Sequence, residues 1–183
     1  MLLLLLMQTG LYTPNCNTLH PPRWMQHGAI KHPTERINTM ATRSRIGIQE
    51  KGGIRHIYAH WDGYPKHNGI ILLKHYTNAA KINLLMELGN ISILRPLIGE
   101  KHDFDNPNKA WTLAYGRDRE ETGEKAIKSK NEDCFIKIAD GSFAEYIYLF
   151  KEDKWFCAIG RNNHFIALDE YLSQFPESDF YPC

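Results

Sequence analysis

Apolar and polar positions alternate most clearly near the middle and near the end of this 183-residue chain. In Arg45-Ile46-Gly47-Ile48 the two isoleucines fall on one side of an extended strand, with Arg45 and Gly47 on the other. Glu50-Lys51-Gly52-Gly53 is a hairpin turn by composition, since glycine reaches positive φ at little cost. Residues 54–60 return as a second strand, with Ile54, His56, Tyr58 and His60 on one face and Arg55, Ile57 and Ala59 on the other. His56 and His60 therefore point either toward something specific or toward water. Near the end, EYIYLF, the connection KEDK and WFCAI read as another hairpin, over residues 144–150 and 155–159.

Between these hairpins the period changes. The stretch HWDGYPKHNG at 60–69 breaks the second strand, because Asp-Gly forms turns and Pro65 biases Tyr64 away from helical angles. A helix is expected over 68–76. A second helix follows a cap at Thr77 or Asn78, with Ile82, Leu85 and Met86 as its inner stripe and Gly89 as its stop. Residues 90–94 form a short apolar linker or strand, residues 100–107 a polar loop, and residues 111–115 a strand. Residues 121–133 are charged and poor in apolar side chains, as in an exposed connection. Residues 134–139, CFIKIA, read as a strand closed by Asp140-Gly141, and residues 168–175 as a short final helix. The order of elements predicts an α+β domain: a mainly antiparallel sheet with two helices packed on one face and a short C-terminal helix. No glycine-rich nucleotide loop, internal repeat or βαβ rhythm is visible.

Composition narrows the class. The 43% hydrophobic and 23% charged residues suit a globular domain able to bury a core. The N-terminal MLLLLLMQTG has no basic lead, and its apolar run is far short of the roughly 20 residues that span a bilayer, so no membrane association is expected. Residues 1–39 are otherwise rich in His, Pro, Asn and Thr. They are read as a disordered or loosely attached extension, upstream of a single α+β domain at 40–183 that opens on Met40. Arg23, Lys31 and Arg36 against the lone acid Glu35 place the chain's net charge of +1 in that extension. The remainder is close to neutral, which argues against a broad nucleic-acid surface. Cys16, Cys134, Cys157 and Cys183 form no CxxC pair, so free thiols in a reducing compartment are expected.

Four kinds of chemistry compete for the polar residues. His60, Asp62, His67 and His75, or His102, Asp103 and Asp105, contain metal-ligand types, but their spacing matches no compact motif, and neither a metal nor a cofactor is expected. Acid–base chemistry would draw on His60, Asp62, Asp103 and Asp118, with Arg117 and Arg119 holding an anionic group. A small nucleotide-like ligand needs only one or two arginines and an aromatic platform, which Arg43, Arg45, Arg55, Lys66 and Lys74 with Tyr58, Trp61 and Tyr64 could furnish. A protein partner would use the same Tyr, Trp and Arg side chains as anchors. Unpaired sheet edges, with the EYIYLF strand, allow a homodimer without requiring one.

Several of these pieces occur together. Thr42-Arg43-Ser44-Arg45, His60-Trp61-Asp62-Gly63-Tyr64-Pro65, His75-Tyr76, the HDFDNP run and Tyr115-Gly116-Arg117-Asp118-Arg119 resemble a family of small uncharacterised proteins of tailed bacteriophages and prophages, over roughly residues 40–156. Members often carry Cys where this chain has Ala59. The family has no assigned activity, so the resemblance implies a setting, the cytoplasm of a bacterial host, and a protein that manipulates that host, including by counter-defence. The resulting expectation is a non-enzymatic binding protein acting on a host protein or a small anionic or nucleotide-like ligand. Its candidate ligand-binding residues are Arg43, Arg45, His60, Trp61, Asp62, Tyr64, Arg117 and Arg119, with none catalytic. The alternative is a hydrolase-like enzyme acting on a phosphorylated or nucleotide substrate, with His60, Asp62, Asp103 and Asp118 as its catalytic groups.

Overall fold

The hairpin of Ser44–Glu50 (β1) and Gly53–Ala59 (β2) forms the centre of the sheet. A computed structural model of the chain describes residues 41–159 and 164–176, so the expectations for residues 1–39, for a start at Met40 and for the last residues of the tail lie outside the described residues. After β2 the chain makes a single π-helical turn, Pro65–Gly69, that runs directly into α1, Ile70–His75. Helix α2 covers Ala79–Glu87, and the Asn78 side chain accepts from Lys81 N as its cap. Strand β3 (Ile91–Ile93), strand β4 (Leu113–Ala114) and a one-turn helix α3 (Tyr115–Asp118) follow. Then come β5 (Ile127–Ser129), α4 (Glu132–Gly141), β6 (Tyr146–Lys151), β7 (Lys154–Ile159), β8 (Ile166–Ala167) and α5 (Leu168–Leu172).

The result is an α+β domain with one open, mixed sheet and helices packed on it. The strand order is β4-β3-β2-β1-β6-β7-β8, and β5 pairs with β2 off this path. Two features depart from the sequence reading. First, β1 runs parallel to β6, and β2 parallel to β3, within an otherwise antiparallel ladder. Second, residues 134–139 are helical. Asn131 caps α4 by accepting from Cys134 N, and Glu132 and Asp133 occupy its first turn, where acidic side chains favour the helix. The helix wins because Phe135, Ile136 and Ala139 then form one stripe, buried with Ile54, Ile147, Leu149 and Ala158.

This stripe puts α4 on the face opposite α1, α2 and α5, so the helices do not all lie on one side. Ile46, Ile48, Ile57, Tyr148 and Phe150 alternate to the other face and pack with Ile71, Ile82, Leu85 and Leu168. Gly47 allows the closeness of α4, since a Cβ there would lie 2.9 Å from Ile54 Cγ2 and 3.0 Å from Phe135 Cζ. The 121–133 segment is also more built-in than its composition suggests: Glu124 and Ser129 are buried, and β5 pairs Ile54–His56 with Ile127–Ser129. Cys157 is buried and free, whereas Cys134 is disulfide-bonded, contrary to the expectation of free thiols; the remaining two cysteines lie outside the described residues.

The HWDGYP turn is tied into three strands. Gly63 N donates to Thr42 O at 2.8 Å, while His60 N and Trp61 N donate to Ile91 O and Ser92 O. Buried Asn68 reaches Ser44 Oγ at 3.3 Å and Trp61 O at 3.4 Å. From below, Tyr148 Oη donates to Gly63 O at 2.7 Å. Changing Tyr148 to Phe leaves that buried carbonyl without its donor, at an expected cost of about 1.5 kcal/mol in urea unfolding. Unaltered stability in Tyr148→Phe would show that the tether contributes nothing.

Candidate functional site

One face of the β1–β2 hairpin carries a column of paired polar residues. Register sets Gly47 opposite His56 and Arg45 opposite Tyr58. Arg43 and His60 continue the two strands one step further on the same face. Helix α4 covers the first pair, with the Phe135 ring 4.5 Å from that of His56, and ends beside the second. Arg45 Nε donates to Ser142 Oγ, at the helix C-cap, at 2.9 Å. Arg43, Tyr58 and His60 stand beyond the end of the helix.

Arg45 is 4% exposed and belongs to no ion pair among the described residues. Burial lowers its pKa to about 10, a value at which the guanidinium still holds its proton at neutral pH. The helix C-terminus, where carbonyl dipoles leave partial negative charge, compensates part of the cost. A guanidinium has only donors, so the 3.0 Å contact from Arg45 Nη1 makes His56 Nδ1 the acceptor. His56 must then carry its proton on Nε2 and donate it to Ser129 Oγ at 2.8 Å. Burial first and the Arg45 charge second hold the His56 pKa well below the usual histidine value, in agreement with this neutral tautomer. Serine and histidine here do not form a nucleophile–base pair, because the nitrogen facing Ser129 is the protonated one.

Beyond Arg45 the column opens at Arg43 and His60, which are partly exposed, while Tyr58 between them is buried. Tyr58 Oη lies 3.0 Å from His60 Nδ1, and the Arg43 side chain hydrogen-bonds the same phenol. Burial raises the Tyr58 pKa, opposed by Arg43; burial and then the Arg43 charge lower that of His60. Trp61 meets the His60 ring edge-on at 4.8 Å. Arg43 is partly exposed and forms no ion pair among the described residues. The nearby Glu145 carboxylate touches only the Arg43 backbone N, at 3.4 Å.

The YGRDR stretch has a different assignment. Asp118 accepts from Ala114 N at 2.8 Å, from His102 N at 3.2 Å and from Arg117 Nε at 2.8 Å. Arg117 spends its other donors on Asp118 again and on the carbonyls of Ile98, Gly99 and Thr112. Burial works against the Asp118 carboxylate, but the hydrogen bonds from Arg117, Ala114 N and His102 N outweigh it and keep its pKa below the ordinary value. The pair fastens the 95–112 loop to β4, and its groups are occupied within the chain. Arg119 pairs with Glu121 at 3.1 Å and lies over the Phe104 ring at 5.1 Å. Asp103 is exposed and accepts from Asp105 N, a local loop contact. Asp62 occupies the turn after β2 with φ 55°, and the Tyr64 ring lies 5.9 Å from that of His67.

Arg43, Arg45, His60 and Trp61 are thus brought together on one side of the hairpin, while Arg117 and Asp118 are anchored in a separate network. His102 Nδ1 meets Glu100 O at 2.9 Å, and its Nε2 is the buried side-chain polar atom left without a partner among the described residues. No group of three His, Cys, Asp or Glu among the described residues is arranged to hold a metal ion, and no described helix is long and apolar enough to cross a membrane.

No family model, curated protein or solved structure matches this chain. Residues that sequence reasoning missed are Tyr58 as a bridge between Arg43 and His60, His56 and Ser129 as the inner partners of Arg45, and Ser142 at the end of α4. The alternation of His56, Tyr58 and His60 already pointed to the first two. Ser142 gave no such signal, because its segment reads as a turn between two strands.

Proposed function

We propose that this chain is a non-enzymatic binding protein whose ligand is a small anion-bearing molecule held at the outer end of the β1–β2 column. The observation that carries this reading is Arg43: a partly exposed residue that meets no carboxylate among the described residues, hydrogen-bonds Tyr58 and stands near His60, whose ring Trp61 meets edge-on. Arg45, fixed by Ser142 and His56, adds a second positive charge beneath them. Arg43 would make the direct contact, since an anion bound to a guanidinium gains charge-assisted hydrogen bonds. Binding is preferred to hydrolysis because the Asp118 oxygens are taken by Arg117 and two backbone amides, and because the lone pair of His56 is taken by Arg45.

A host protein as the ligand is the weaker version, because the exposed large apolar side chains Leu84, Leu97 and Phe143 stand on three different elements. The setting proposed is the cytoplasm of a bacterial host, as the phage resemblance implies; the disulfide at Cys134 is the observation that pulls against it.

Calorimetric titration of the full chain with inorganic phosphate, ribose 5-phosphate and the four ribonucleoside monophosphates tests the reading. At least one is expected to bind, with affinity falling as salt rises. Arg43→Ala should weaken it by about tenfold or more, the value of a lost charged hydrogen bond. Equal binding by Arg43→Ala, or no binding by any of these anions at millimolar concentration, rejects the site.

A further inference from the structure

Helix α4 ends in a tight reversal. Phe143 N donates to Asp140 O and Ala144 N to Ala139 O, both at 3.0 Å, the paired bonds of a Schellman turn. The residue after the cap must then take left-handed angles, and Phe143 does so with φ 55°. Glycine is the usual occupant, because an L side chain there crowds its own backbone. A phenylalanine recovers such a cost when its ring is buried, but this one is 67% exposed. The other non-glycine residues at positive φ among the described residues are Asp62, Glu120, Glu152 and Asp153, polar side chains for which exposure in a turn needs no further cause.

The neighbours of Phe143 connect it to the site. On one side, Ser142 Oγ holds Arg45 Nε. On the other, Glu145 N donates to Arg43 O at 2.9 Å, and the Glu145 carboxylate meets Arg43 N. An exposed aromatic ring in an unfavourable backbone conformation therefore stands between two residues fastened to the two arginines. Backbone cost retained beside a binding surface is a recognised mark of function.

We infer that Phe143 is a stacking platform, so that the ligand is a nucleotide whose base lies on the Phe143 ring while its phosphate meets Arg43. This inference rests on the anion-binding reading above and adds the aromatic half of the ligand. Stacking suits the position because it needs only an open ring face and tolerates any base.

The test compares AMP with ribose 5-phosphate, which carries the phosphate without the base, on the full chain. AMP is expected to bind about tenfold or more tightly, the usual value of one base–aromatic stack. In Phe143→Gly this ratio should collapse toward one with the ribose 5-phosphate affinity unchanged, while the Tm rises by a few degrees as the turn gains its preferred residue. Phe143→Leu keeps a bulky side chain at the same angles and removes the ring, so it should lose the ratio without the gain in Tm. Equal affinities for AMP and ribose 5-phosphate in the unaltered protein, or a ratio that survives both substitutions, overturns the platform and leaves the phosphate site standing. Binding of neither compound removes both.

Discussion

Asp118→Ala is expected to lower the free energy of unfolding by about 3–5 kcal/mol, the range for breaking a buried ion pair by removing one partner. The substitution leaves the Arg117 guanidinium without its counter-charge, although that side chain is only 17% exposed. It also removes the acceptor for Ala114 N and for His102 N, and with it the link between the 98–105 loop and β4. Asp118→Asn keeps an acceptor oxygen but not the charge and should lose less. Urea titration of both variants gives the values. A loss below about 1 kcal/mol in Asp118→Ala would mean that the network is peripheral to stability. Because this carboxylate sits outside the Arg43 column, the anion affinity of whatever protein remains folded should be unaltered.

Acid should destabilise the protein as pH falls below 6.5, chiefly through His56. Its folded pKa is held well below the ordinary 6.5, by burial and then by Arg45. Below pH 6.5 the unfolded chain therefore binds a proton that the native state refuses. The stability is fully present above that pH and declines as pH falls, by about 1.4 kcal/mol per pH unit for one such group. His60 is lowered too and acts in the same direction, whereas Glu124, raised by burial, opposes the trend toward the acid end. The decisive comparison is therefore with His56→Gln, whose amide can accept from Arg45 and donate to Ser129 without titrating. Chemical unfolding at several pH values should show a shallower decline in the variant. A flat profile in the unaltered protein, or the same slope in both, would contradict the neutral buried imidazole.

The two experiments concern residues that looked alike in sequence. Asp118 between two arginines suggests an anion site, and His56, on the same strand face as Tyr58 and His60, suggests a specific partner or solvent. Their roles differ because Arg117 turns inward to the carbonyls of Ile98, Gly99 and Thr112, while Arg45 finds no carboxylate among the described residues and takes an imidazole instead. Charge pattern along the chain does not distinguish a guanidinium that closes a loop from one that underlies a surface. The YGRDR stretch is the clearest example, since its first arginine is consumed by the fold and its second pairs with Glu121.

Local causes were legible. The β1–β2 hairpin follows from Gly52-Gly53 and the alternation on either side, α2 from the Asn78 cap, its apolar stripe and Gly89, and the β6–β7 hairpin from its two apolar runs. Helix α4 was legible in principle. CFIKIA fits both a strand alternation at 134, 136 and 138 and a helical stripe at 135, 136 and 139, and Asn131-Glu132-Asp133 before it is a helix start. Deciding between them needed the opposite face of the sheet, whose Ile54, Ile147 and Leu149 require a cover. Elements whose turns, caps and periodicity lie within a few residues of one another follow from local sequence. Long-range packing set the rest: β1 pairs in parallel with β6, and Ser142 reaches Arg45 across 97 positions. Those outcomes follow from covering apolar faces and satisfying buried donors over the whole domain, and that energy depends on residues far apart in the chain.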